Sequence, residues 1–97
     1  MPKYIVLGKY TTQGMSRIKD GPGRTAHARE LFAAAGCTMT EFNLTMGHYD
    51  FVTQVEAPDD LTFSRALLGI AASGNITTET LRAFTETEYQ RIAAGLP

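Results

Sequence analysis

Cysteine is almost missing from this chain. Cys37 is the only one in 97 residues, which excludes an internal disulfide framework and a cysteine-based metal knuckle. Long apolar runs are missing too, and none approaches the about 18 residues that a membrane-spanning helix needs. Met1-Pro2-Lys3 leads straight into a strand-like segment with no charged-then-apolar leader, so no signal peptide is expected. A soluble, cytoplasmic protein is the plain expectation. Nor is there an excess of one charge: a net charge of −1 and a pI near 6.1 leave no electrostatic footprint for nucleic acid. Arg17, Lys19, Arg24 and Arg29 make the first helical region locally basic, and Asp59, Asp60, Glu79, Glu86 and Glu88 offset them later. Such scattered charge reads as solvated helix faces. There is no internal repeat, no low-complexity tract and no phosphate-loop spacing among Gly8, Gly14, Gly21 and Gly23.

What is present reads as one domain over residues 1–97, small enough to bury only about 60–65% of the surface its unfolded chain exposes. Residues 3–10 are β-branched and aromatic and predict a strand buried on both faces. Thr11 or Thr12 can cap a short helical stripe through Met15 and Ile18, which Asp20-Gly21-Pro22-Gly23 interrupts. From Arg24 the spacing of Ala28, Leu31, Phe32 and Ala35 predicts a helix that Gly36 ends. Residues 37–46 read as a strand with Phe42, Leu44 and Met46 on one face. Residues 51–57 read as another, with Phe51, Val55 and Ala57 opposite Val52, Gln54 and Glu56. Their short separation at Gly47-His48 predicts an antiparallel hairpin.

Pro58-Asp59-Asp60 opens a second amphipathic helix through Phe63, Ala66, Leu67, Ile70 and Ala71, closed by Gly74-Asn75. A fourth strand spans about Ile76 to Phe84, and Thr85-Glu86-Thr87-Glu88 is a capping box for a last short helix. The order is β-α-β-β-α-β, the α+β ferredoxin-like split arrangement. Both main helices then lie on one face of a four-stranded antiparallel sheet. The strands carry apolar residues on both faces, so the uncovered face predicts a sheet-to-sheet homodimer, or an assembly of such dimers. Residues such as Val6, Val52 and Phe84, or their opposite-face neighbours, would lie at its centre.

Tyr4-Ile5-Val6-Leu7-Gly8-Lys9-Tyr10-Thr11, Gln13-Gly14, Gly47-His48-Tyr49-Asp50, Val55-Glu56-Ala57-Pro58-Asp59-Asp60 and Thr80-Leu81-Arg82-Ala83-Phe84-Thr85 together resemble the GYD-domain proteins. These are small, mostly bacterial proteins named for a Gly-x-Tyr-Asp-type signature. The resemblance runs from Tyr4 to about Pro97 and implies a dimeric α+β barrel. It brings no activity with it.

The candidate site residues are therefore judged one by one. Gly47 supplies a turn, and His48 is of a residue type that can act as an acid or base near neutrality, or is simply solvated at a hairpin tip. Tyr49 can pack its ring and place its hydroxyl, and Asp50 can either bind turn amides or move a proton. His48 and Asp50 are the catalytic candidates, Tyr49 and Arg82 the ligand-binding ones. Arg82, between Leu81 and Phe84, must lie at an open end, pair with Asp50, Glu56 or Glu79, or await an anion. His27 and His48 lack a metal-ligand spacing, so no metal and no cofactor is expected. Cys37 reads as a buried, inert thiol. Pro2, once freed of Met1, would present the terminal amine that some tautomerases use as a base, against the plainer reading of a trimmed terminus.

Two functions follow as expectations. One is a module that binds a small organic ligand in a cleft between helices and sheet, using His48, Tyr49, Asp50 and Arg82 as its polar set. The other is a cofactor-free isomerase, tautomerase or oxygenase with His48 or Asp50 moving a proton and Arg82 steadying an anion. That requires His48 and Arg82 to reach one cavity.

Overall fold

The computed structural model describes residues 1–97. Strand β1 (Lys3–Tyr10) leads into a short helix α1 (Thr12–Ser16) and a 3-10 turn (Ile18–Asp20). Then come α2 (Gly21–Ala34), β2 (Thr38–Leu44), β3 (Phe51–Glu56), α3 (Asp60–Ala71), β4 (Ile76–Ala83) and α4 (Glu86–Ala94). The sheet order is β2-β3-β1-β4 with every neighbouring pair antiparallel, the ferredoxin-like arrangement expected from the sequence. No helix is long and apolar enough to cross a membrane.

The period-2 alternation of β1 settles which side chains face the helices. Tyr4, Val6 and Gly8 are buried against them, with Val6 only 2% exposed, while Ile5, Leu7 and Lys9 face the other way. In β3, Phe51, Thr53 and Val55 join the helix side. The core gathers Tyr4, Val6, Val55 and Ala57 with Phe32 of α2, Phe63 of α3, and Cys37 and Met39. Tyr4 and Phe63 stack with ring centroids 4.1 Å apart. Cys37 is buried, and desolvation pushes its thiol above the ordinary pKa.

Four local expectations are corrected. The second helix does not wait for Arg24. It begins at Gly21 with Pro22 in its first turn, where the missing amide hydrogen costs nothing. In β2 a bulge between Met39 and Glu41 lets both Met39 and Phe42 face the helices. Leu44 and Met46, expected on the face of Phe42, run past the core and stay exposed. At the other edge β4 stops at Ala83, so Phe84 stands beyond the sheet, exposed, with the Arg82 guanidinium 4.6 Å from its ring centroid.

Helix ends follow their capping chemistry. The Asp59 carboxylate accepts the Thr62 amide at 2.8 Å, and this bond holds its carboxyl below the ordinary pKa. Thr85 and Glu88 form the expected reciprocal capping box, with bonds of 2.9 and 3.1 Å. Yet α4 buries none of its residues: Tyr89 and Ile92 remain exposed on it, and so does Leu96 beyond its end.

Candidate functional site

The Gly47-His48-Tyr49-Asp50 signature forms the β2–β3 turn. Gly47 has φ +116°, a left-handed conformation that side-chain residues rarely adopt. Thr45 closes the turn, donating its amide to the Asp50 carbonyl at 2.8 Å and its hydroxyl to the Tyr49 carbonyl at 2.6 Å. Asp50 then ties the turn to β1: its carboxylate accepts the Tyr10 amide at 2.9 Å and its own amide donates to the Gly8 carbonyl at 2.8 Å. Tyr49 reaches across the uncovered sheet face, donating its hydroxyl to Glu79 of β4, with the Lys9 amine 5.7 Å from its ring centroid. That hydrogen bond, more than desolvation, raises the Tyr49 pKa. His48 is exposed, its ring edge-on to Tyr49.

Arg82 is elsewhere. Its register partner on β1 is Tyr4, whereas Asp50 binds Gly8 and Tyr10 at the far end of that strand. At about 3.3 Å per residue, the four to six residues between them separate the two by roughly 13–20 Å. The Arg82 guanidinium donates to the Ala83 carbonyl and lies over Tyr4 and Phe84, pairing with none of Asp50, Glu56 or Glu79. The expected grouping of His48, Tyr49, Asp50 and Arg82 around one cavity is therefore corrected. Period-2 alternation sends Arg82 to the helix side and Glu79, with Tyr49, to the opposite face. No three His, Cys, Asp or Glu side chains converge as a metal site, and His27 lies on α2, 4.0 Å from Glu30.

A cleft between helices and sheet does exist, built from other residues. Where α2 and α3 diverge over the sheet they leave a cavity of about 280 Å³. Its walls are mainly apolar, with Leu31, Met39, Phe42, Phe51, Leu67 and Ile70 among them. Phe51 stacks on Phe42 at 5.2 Å and tilts against Tyr10 at 5.5 Å. Gly8 makes room for this cluster, since a Cβ there would meet the Phe51 ring at 1.9 Å. Tyr10 and Arg24 are the residues that sequence reasoning missed. Tyr10 stood inside the β1 motif and Arg24 inside the basic stretch, but neither sequence signal pointed to a shared cavity.

The mouth is framed by a hydrogen-bonded corner. Thr11 donates its amide to the Asn75 carbonyl at 3.0 Å and its hydroxyl to the Gly74 carbonyl at 2.7 Å. The Gln13 amide donates to the Ser73 carbonyl and to Asn75 Oδ1, both at 3.0 Å. Gly14 lies so close to this corner that a Cβ would fall 2.1 Å from the Asn75 carbonyl oxygen, which explains the Gln13-Gly14 pair.

The fold and this cleft define an α+β ferredoxin-like protein with a small apolar chamber under its helices. The family model of the GYD domain matches residues 4–93, and the chain belongs to that family. It is 37% identical over 84 residues to a Thermus thermophilus protein named "glutamine synthetase and cystathionine beta-lyase binding protein", covering 86% of this chain and 88% of that one. Among solved structures it resembles the feast or famine regulatory protein from M. tuberculosis complexed with L-methionine. That likeness has a TM-score of 0.67 and 16% identity, and covers 88% of this chain but only 51% of the regulator. It also resembles TTHA0845 from Thermus thermophilus, with a TM-score of 0.56 and 24% identity, covering 88% and 95% of the two chains. At these identities the structural likenesses establish the fold alone.

Proposed function

We propose that this GYD-domain protein is a homodimeric α+β barrel that binds a small organic molecule in the chamber under α2 and α3. The 280 Å³ apolar cavity carries the reading. It is just under the roughly 300 Å³ at which pockets for drug-sized ligands begin, so its occupant is compact. The homodimer is supported by the surface left over. The chain exposes 6385 Å², where a compact monomer of 10.6 kDa exposes about 5,500 Å². That excess of roughly 900 Å² matches what each partner contributes to an ordinary stable interface. Ile5, Leu7, Val52 and Leu81 on the uncovered sheet face supply its apolar part, and α4 supplies a flank. Thermal-shift titration with compact apolar molecules tests the cavity. A rise in melting temperature, lost when Ala28 is enlarged to Phe to fill the chamber, is expected. No response to any such compound would remove the reading.

The name of the Thermus thermophilus relative favours a second, compatible reading, in which the chain docks onto larger enzymes of the glutamine synthetase and cystathionine β-lyase kinds. Co-elution of the purified proteins on size exclusion would support it, and independent elution at tens of micromolar would count against it.

A further inference from the structure

The cavity's walls and mouth differ in a way that specifies the ligand. Its lining holds one arginine and one histidine and no aspartate or glutamate. Arg24 and Asn75 line both the apolar chamber and an adjoining polar depression formed with Gln13, Ser16, Arg17 and Asp20, so they mark the mouth. Arg24 is half-buried, held there by its donation to the Gly14 carbonyl at 3.0 Å, and the remaining guanidinium N–H groups are free for a ligand. It belongs to the first turn of α2, where the helix dipole adds to its charge. Arg17 and Arg24 outnumber Asp20 in the depression. The Tyr10 hydroxyl, unlike those of Tyr4 and Tyr49, has no acceptor within the chain. Burial raises its pKa, so it stays a donor, and Arg24 acts on it more strongly than Asp50 does.

Resting on the cleft reading above, we infer that the chamber takes a compact apolar monocarboxylate, its hydrocarbon end among Phe42, Phe51 and Leu67 and its carboxylate at the mouth on Arg24. Arginine presents paired donors that match the two oxygens of a carboxylate. An apolar chamber with Arg24 at its mouth, and Arg17 in the adjoining depression, favours a negative charge there. A zwitterionic amino acid of the same skeleton finds no carboxylate in the chamber lining and only Asp20, outnumbered by Arg17 and Arg24, in the adjoining depression to receive its ammonium group, and a poorly paired charge is costly to desolvate. Close packing at protein density fills such a chamber with about ten non-hydrogen atoms, the size of an arylalkanoic or medium-chain acid.

Isothermal titration with three molecules sharing one skeleton tests this: 3-phenylpropionate, its neutral primary amide, and phenylalanine. The acid is expected to bind about tenfold or more tightly than either of the others, as a charge-assisted bond at a half-buried arginine allows. Arg24→Gln should erase the preference for acid over amide, weakening the acid about tenfold or more, and Arg24→Lys should retain most of the preference. A cooperative thermal unfolding transition of the Gln variant shows that the fold is kept. Amide binding as tight as acid, or an acid preference that survives Arg24→Gln, overturns the carboxylate assignment and leaves the cleft reading standing. No binding of any of the three overturns both.

Discussion

The Asp50 carboxylate caps an otherwise unpaired amide of β1, which makes it the fastening between the signature turn and the sheet. Asp50→Ala should lower unfolding free energy by about 1.5–3 kcal/mol in urea denaturation, the scale of a hydrogen bond to a charged group. A proton-transfer role would instead leave stability intact and alter only turnover. Tyr4 carries a second residue-level consequence. Burial, and then its hydrogen bond to Asp60, push its hydroxyl from the ordinary 10.0 up to about 12. The folded state therefore holds this proton more tightly than the unfolded chain. Its contribution is complete below pH 10 and is lost as pH rises from about 10 to about 12. Melting temperature should fall steeply over that window, and the fall should be shallower in Tyr4→Phe. Equal slopes would show that the phenol is not perturbed as the packing implies.

Among the elements, those governed by local chemistry were legible from sequence. The β-branched run of β1, the Thr85 capping box, and the left-handed glycines Gly36 and Gly47 each act within a few residues, whereas Asp59, read with Pro58 and Asp60 as opening the helix by its charge, turns out to be the N-cap. The Thr40 bulge was not legible, because the sequence spaces Met39 and Phe42 as though on opposite faces and only pairing with β3 reveals otherwise. The cavity was invisible for the same reason. Tyr10, Arg24, Phe51 and Asn75 meet only after four elements have packed, and periodicity says nothing of where two helices diverge. The signature's residue types are reactive, yet Asp50 and Tyr49 spend their polar groups on the sheet. Close packing between elements gives a direct check on this picture. Gly8→Ala drives a methyl group into the nearly buried Phe51 ring and should cost about 1–3 kcal/mol, as overpacked cores do. It should also weaken any ligand of the chamber, since Phe51 is part of its wall. An unchanged denaturation midpoint would mean that Phe51 is not packed against β1.

At the scale of the whole molecule the chain is flat and widely exposed, which supports the proposed dimer. Its Cα radius of gyration is 14.6 Å, where a compact chain of 97 residues has about 12.5 Å, and its extents are 51 × 31 × 17 Å. The helices cover one sheet face. The other holds Ile5, Leu7, Val52 and Leu81 in adjacent register, ringed by Lys9, Gln54, Glu56 and Glu79. An apolar centre with a polar rim is the composition of a protein interface. Covering several hundred Å² of it at about 25 cal/mol per Å² adds more stability than so small a core supplies alone. Leu7→Glu, which leaves Val6 and the helix-side core untouched, should shift the population toward monomer. The most direct test of the account is sedimentation equilibrium of the unmodified chain at low micromolar concentration. A single species at twice the 10.6 kDa chain mass is the expected result, and a folded monomer at that concentration would contradict it.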